Sequence, residues 1–147
     1  MIYVGGGNTA NMLAIWRVHG VDCILRQAWD EGVVLAGRSA GSICWFEGGT
    51  TDSFRALAAL RDGLGLLSGS NSPHYDGEPE RRPTYQRLVA AGELPAGYAA
   101  DDGVGLVFRG TELAEIVSER AGARGYRVER GADGGAVETP LETRFLS

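Results

Sequence analysis

Five residues, Gly37-Arg38-Ser39-Ala40-Gly41, constrain this chain more than any other stretch. They follow the apolar run Val33-Val34-Leu35-Ala36 and precede a helix-compatible segment, Ser42-Ile43-Cys44-Trp45-Phe46. Strand, glycine-flanked serine, helix is the pattern of a nucleophile elbow. A serine on so sharp a turn takes strained backbone angles, and its neighbours must be small for strand and helix to close on each other. Ala40 would present its N–H to a developing oxyanion, at a helix N-terminus where partial positive charge collects. The plainer alternative is a glycine-rich turn whose serine merely caps the helix.

The elements around this turn point to an α/β fold. Ile2–Val4 reads as a buried strand running into Gly5-Gly6-Gly7-Asn8-Thr9. Asn8 or Thr9 is the N-cap of a helix carrying Met12, Leu13, Ile15 and Trp16 at helical spacing, closed by Gly20. A second helix over Val21–Glu31 stops at Gly32. Two short parallel strands separated by helix, each ending in a glycine-rich turn, describe an open, mostly parallel sheet flanked by helices. Its site lies at the strand C-terminal ends.

Beyond Phe46 the pattern loosens. Glu47–Ser53 reads as loop, Ala56–Arg61 as a helical turn, Leu64–Leu67 as partly extended, and Pro83–Ala91 as helix. Tyr98–Ala100, Val104–Phe108, Leu113–Ser118 and Tyr126–Glu129 are short β-like runs, read as an antiparallel meander appended to the parallel part. The tail from Gly131 is polar and partly loose. No repeat or linker divides the chain, so residues 1–147 are expected to form one domain.

Composition narrows the function. A formal net charge of −5 gives no reason to expect a nucleic-acid partner. No apolar run reaches membrane-spanning length, and no signal peptide is visible at Met1. Cys23 and Cys44 lie in apolar, helix-like stretches and read as buried free thiols of a cytoplasmic protein.

A serine nucleophile needs a base, and the base an orienting acid. Of the two histidines, His19 ends a helix beside Gly20 and reads as structural. His74 follows Pro73 in a polar loop and is the candidate base by elimination. The acid stays open among Asp52, Glu47, Asp62 and Asp76. Asp52 is set apart by the hydroxyls of Thr50-Thr51-Asp52-Ser53, which would fix a carboxylate. The Gly5–Thr9 loop matches neither the dinucleotide nor the P-loop fingerprint. Parallel neighbouring strands would instead put Gly7 beside Ser39, so that Gly7 and Ala40 supply a two-donor oxyanion hole.

Taken together, the Gly5–Thr9 loop, the Gly37–Gly41 elbow and Pro73-His74 resemble, in this order and spacing, the peptidase E (aspartyl dipeptidase) family, whose relatives include cyanophycinase. The resemblance runs from residue 2 to about residue 110. It implies a fold similar to class I glutamine amidotransferases, with Ser39 as nucleophile, His74 as general base, and Gly7 and Ala40 as oxyanion donors. It points to Asp52 as the acid, with Glu47 as alternate. Family members that take an N-terminal aspartate use an arginine in the loop after the histidine, which makes Arg81 the match and Arg82 the reserve. Asn8 joins them as a substrate-binding candidate. The expected substrate is a small peptide, and no metal or organic cofactor is needed. Family members also carry strands ahead of the glycine loop, so Ile2–Val4 is expected to have an open flank, to be covered by further chain or by a partner such as a second copy. The readings that compete are a serine dipeptidase for Asp-X, a cyanophycinase-like exopeptidase or esterase, and a truncated, inactive binding protein.

Overall fold

A computed structural model describes residues 1–147. Strand β1 (Ile2–Val4) enters the glycine loop, and Asn8 then caps helix α1 (Thr9–His19) by accepting the Asn11 N–H at 2.9 Å. Gly20 ends α1 in the left-handed region, at φ 69°, where glycine carries no Cβ penalty. Helix α2 (Val21–Asp30) packs back, burying Leu25, and strand β2 (Leu35–Gly37) returns parallel to β1 with Val4 opposite Gly37. The elbow follows β2 and opens the short helix α3 (Ala40–Ile43).

The rest of the chain builds a larger sheet. Strands β3 (Phe46–Phe54), β4 (Ala56–Leu60) and β5 (Leu67–Ser72) precede helix α4 (Arg81–Ala90). After it come β6 (Gly97–Ala100), β7 (Val104–Arg109), β8 (Glu112–Ser118), β9 (Gly125–Arg130), β10 (Ala136–Pro140) and β11 (Arg144–Phe145). The six-stranded sheet runs β10-β9-β6-β5-β3-β4, with β3, β5 and β6 parallel and the outer pairs antiparallel. β7 and β8 form an antiparallel hairpin extended by β11. The α/β class expected from the sequence holds, with the parallel strands next to the site and the antiparallel ones mostly C-terminal.

Four local expectations are corrected. Glu47–Ser53 is not loop but most of β3, and Ala56–Leu60 is strand rather than helical turn. The polar run disguised β3 because its Thr50 and Thr51 side chains are buried and bonded to other hydroxyls, Thr50 Oγ1 to Ser72 Oγ at 2.6 Å. The tail supplies β10 and β11. Cys23 is exposed, since it falls on the outer face of α2, whereas Cys44 is buried.

Two apolar clusters hold the elements. One gathers Val4, Leu13, Leu25, Ile43, Phe46 and Leu60 and joins β1, α1, α2 and α3 to the sheet. The other packs α4, through Tyr85, Leu88 and Val89, on Ala99 and Val128 of β6 and β9. Tyr3, Ile15, Val18, Ile24 and Val34 are exposed large apolar side chains.

Candidate active site

Ser39 sits at φ 56°, ψ −117°, a positive φ that a non-glycine residue adopts only when its surroundings force it. The forcing is visible. Arg38 N–H bonds the Val4 carbonyl at 3.1 Å, and the Ser39 carbonyl accepts the N–H groups of Ser42 and Ile43 at 2.8 and 3.0 Å. A Cβ on Gly37 would collide with the Gly41 carbonyl, and one on Gly41 with the Val4 carbonyl. The glycines are therefore what lets β1, β2 and α3 close around the serine. The Ser39 side chain makes no capping bond to α3, which removes the plain capping role and leaves the hydroxyl uncommitted.

His74 follows β5, also with positive φ, 58°. Its Nδ1 lies 2.7 Å from Asp102 Oδ1. Asp102 stands just after β6, and β5 and β6 are parallel neighbours with Ser72 opposite Ala99. Their C-terminal ends therefore deliver histidine and carboxylate side by side, as open α/β sheets do. The elbow is tied to the same strands. Ser42 Oγ donates to Asn71 Oδ1 at 2.9 Å, and Asn71 Nδ2 donates to the Tyr98 carbonyl at 3.2 Å, linking α3 to β5 to β6. No hydrogen bond joins Ser39 to His74, but Ser39, His74 and Asp102 line one cavity of about 1260 Å³. Bonds between catalytic groups are often long before substrate enters.

The glycine loop lies where the strand pairing requires. The nearest side-chain atom to a Cβ built on Gly6 would be Ser39 Cβ, at 3.4 Å. Gly6 is thus the residue in close approach, and Gly7, at φ 152°, is the next along. Ala40 is buried, and its N–H is the first of α3, one of the donors a helix start leaves unpaired. Asn8 is committed to structure through its cap and through Nδ2, which donates to the Ser53 carbonyl at 3.1 Å.

Neither expected acid meets His74. Glu47 lies further back along β5, where its Oε2 accepts the Gly69 N–H at 2.6 Å. Gly69 lies five positions before His74, a span of up to roughly 16 Å at 3.3 Å per residue. Asp52 is exposed at the bulge of β3. Asp102 stands in their place, and sequence reasoning missed it because Asp101-Asp102-Gly103 reads as a turn. The available signal was position: the first residues after a parallel strand, as with Ser39 and His74.

The arginines are likewise engaged elsewhere. Arg81 is buried, donating Nη1 to the Thr50 carbonyl at 3.0 Å and Nε to Glu78 at 2.9 Å. Arg82 pairs with Glu138 and lies over the rings of Tyr75 and Tyr126 at 5.3 and 5.0 Å. The arginine that lines the cavity is Arg38, the residue before the serine. Four carboxylates, those of Asp30, Asp101, Asp102 and Glu119, line the same cavity. Burial pushes the Asp101 carboxyl up, despite the Arg124 N–H that its Oδ2 accepts at 2.9 Å.

Comparison with known proteins bears on the family. The model of the family described as Peptidase family S51 matches residues 1–116. The chain is 53% identical over 146 residues to an "Uncharacterized peptidase YgaJ" of Bacillus subtilis (strain 168). That alignment takes in 99% of this chain and 63% of the relative, so the chain spans less than two thirds of the length of the protein it matches.

Proposed function

The chain belongs to peptidase family S51, and on that premise we propose that it is a serine-type dipeptidase hydrolysing short peptides with an N-terminal aspartate. Ser39 Oγ attacks the carbonyl of the first residue. His74 takes the hydroxyl proton and returns it to the leaving amine. Asp102 holds the imidazole in the productive tautomer and stabilises the imidazolium as it forms. The N–H groups of Ala40 and Gly7 receive the oxyanion, each worth roughly 3 kcal/mol of barrier. Asn8 orders the glycine loop from its cap position. The observation that carries the reading is the 2.7 Å His74–Asp102 bond in the same cavity as a serine of strained backbone and uncommitted hydroxyl.

A cation that grips the aspartate is the finer part of the proposal. Arg81 and Arg82 hold Glu78 and Glu138, so Arg38 is the side chain best disposed for it. A second reading has its own support. The carboxylates of Asp30, Asp101 and Glu119 around the cavity favour a cationic group after the scissile bond, as in β-Asp-Arg, the substrate of a cyanophycinase-like exopeptidase.

The test is hydrolysis of Asp-Leu and β-Asp-Arg by the chain beside Ser39→Ala, with fluorophosphonate labelling of both. Hydrolysis and labelling in the parent chain, both lost in a folded Ser39→Ala, are expected. An unlabelled parent chain, or activity retained without Ser39, overturns the serine mechanism. Preference for β-Asp-Arg shifts the assignment to the second reading.

A further inference from the structure

Asp102 is held at its N–H and its carbonyl by groups that the Ser39–His74–Asp102 assignment does not use. Asp76 Oδ1 accepts the Asp102 N–H at 2.7 Å, and Arg120 Nη1 donates to the Asp102 carbonyl at 3.1 Å. The two clamping side chains bond each other, Arg120 Nη2 to Asp76 Oδ2 at 2.8 Å. A Cβ on Gly77 would collide with Asp102 Oδ2, so the carboxylate lies against the turn that begins at His74. Burial pulls the Asp76 carboxyl upward, but the Asp102 N–H and the Arg120 guanidinium outweigh it and hold the group below its usual range.

Arg120 is itself anchored. Its N–H donates to Ser118 Oγ at 3.0 Å, and that hydroxyl donates to the Arg120 carbonyl at 2.8 Å. Ser118 is buried at the end of β8, and the neighbouring Glu119 N–H bonds the Gly103 carbonyl at 3.0 Å. The fork thus comes from a fixed turn, reached from outside the residues that the family model matches.

We propose that Asp76 and Arg120 are positioning residues: a two-ended clamp on the Asp102 peptide that sets the carboxylate against His74 Nδ1. The proposal rests on the triad reading above. An exposed ion pair contributes little to stability, and Arg120 and Asp76 are 51% and 31% exposed in their side chains. Their geometry is nonetheless specific, because one guanidinium spans an acceptor on each of two residues that flank the histidine. A lysine, a single ammonium, cannot reproduce that fork.

The test compares Arg120→Ala, Arg120→Lys, Asp76→Ala and the double alanine variant with the parent chain. For each, kcat and KM on the dipeptide cleaved by the parent chain are read. So are the thermal midpoint and the far-downfield proton NMR signal of a histidine N–H bonded to a carboxylate. The expected result is a fall in kcat of about a hundredfold, the order that a misplacement of about 1 Å costs, with KM within about twofold. The double variant is no worse than either single one, because the residues act as a unit. The downfield signal is lost while the midpoint holds. Parent-like kcat and signal in Arg120→Lys overturns the clamp, and this variant decides the matter should Arg120→Ala fail to fold. The NMR signal needs no turnover. A parent chain that cleaves no dipeptide therefore sinks the functional reading alone, and the signal still decides the clamp.

Discussion

At Ser39 the backbone stores strain of order 1–3 kcal/mol, and the glycines around it are the condition for holding that strain in place. Gly41 is the clearest case, because a Cβ there meets the backbone carbonyl of buried Val4, which cannot give way as a flexible side chain would. Gly41→Ala is expected to lower stability by about 1–3 kcal/mol, read from urea unfolding. Asp102→Asn is different in kind. It keeps shape and fold but presents an amide where the imidazole needs a carboxylate, and kcat should fall by up to about 10⁴-fold with an unchanged circular dichroism spectrum. The thiols separate by burial. Desolvation pushes Cys44 up to about 12, only partly offset by a backbone hydrogen bond, whereas Cys23 is exposed. A thiol reagent at neutral pH should modify Cys23 in the native chain and reach Cys44 only on unfolding.

Strand β10 shows how a polar tail can close a sheet. Its Glu138 receives the Tyr75 hydroxyl at 2.7 Å, the Gln86 amide at 2.7 Å and the Arg82 guanidinium, so one carboxylate ties β10 to α4 and to the residue after His74. Burial raises this carboxyl, but the Tyr75, Arg82 and Gln86 bonds outweigh it and leave the group below its usual value of 4.5. Folding therefore lowers its proton affinity. The stabilisation is present above the ordinary value and lost as pH falls through the depressed one. Thermal midpoints of the parent chain and Glu138→Gln should differ most near about pH 7 and converge as pH falls below the usual 4.5 and through the depressed value. The same strand marks what the sequence conceals. β1, α1, α2 and the elbow announce themselves through apolar spacing, caps and glycines, and so do the candidate serine and histidine that line one cavity. β3 and β10 do not, because their polar side chains find partners only once distant strands pair. Asp102 hid for that reason too: its meaning depends on β6 lying beside β5, a fact of topology that local composition does not carry.

Across the whole molecule, charge and proposed substrate pull against each other. The chain carries a net charge of −5, and four carboxylates line the cavity against Arg38 and His74. An Asp-X dipeptide is net negative at neutral pH, so the long-range field opposes its approach even if Arg38 grips it at contact. Salt screens the long-range part first, since the Debye length falls from about 30 Å at 0.01 M to about 8 Å at 0.15 M. The kcat/KM for Asp-Leu is therefore expected to rise with ionic strength across that range, while that for β-Asp-Arg, which adds a guanidinium, falls or stays level. Arg38→Gln separates the two contributions. It removes the contact cation, so Asp-Leu turnover drops at every salt concentration, and the upward salt slope steepens because the remaining field is wholly acidic. A downward slope for Asp-Leu in the parent chain would mean that Arg38 dominates the field at the cavity mouth, and that the surrounding carboxylates act on the leaving side of the scissile bond instead.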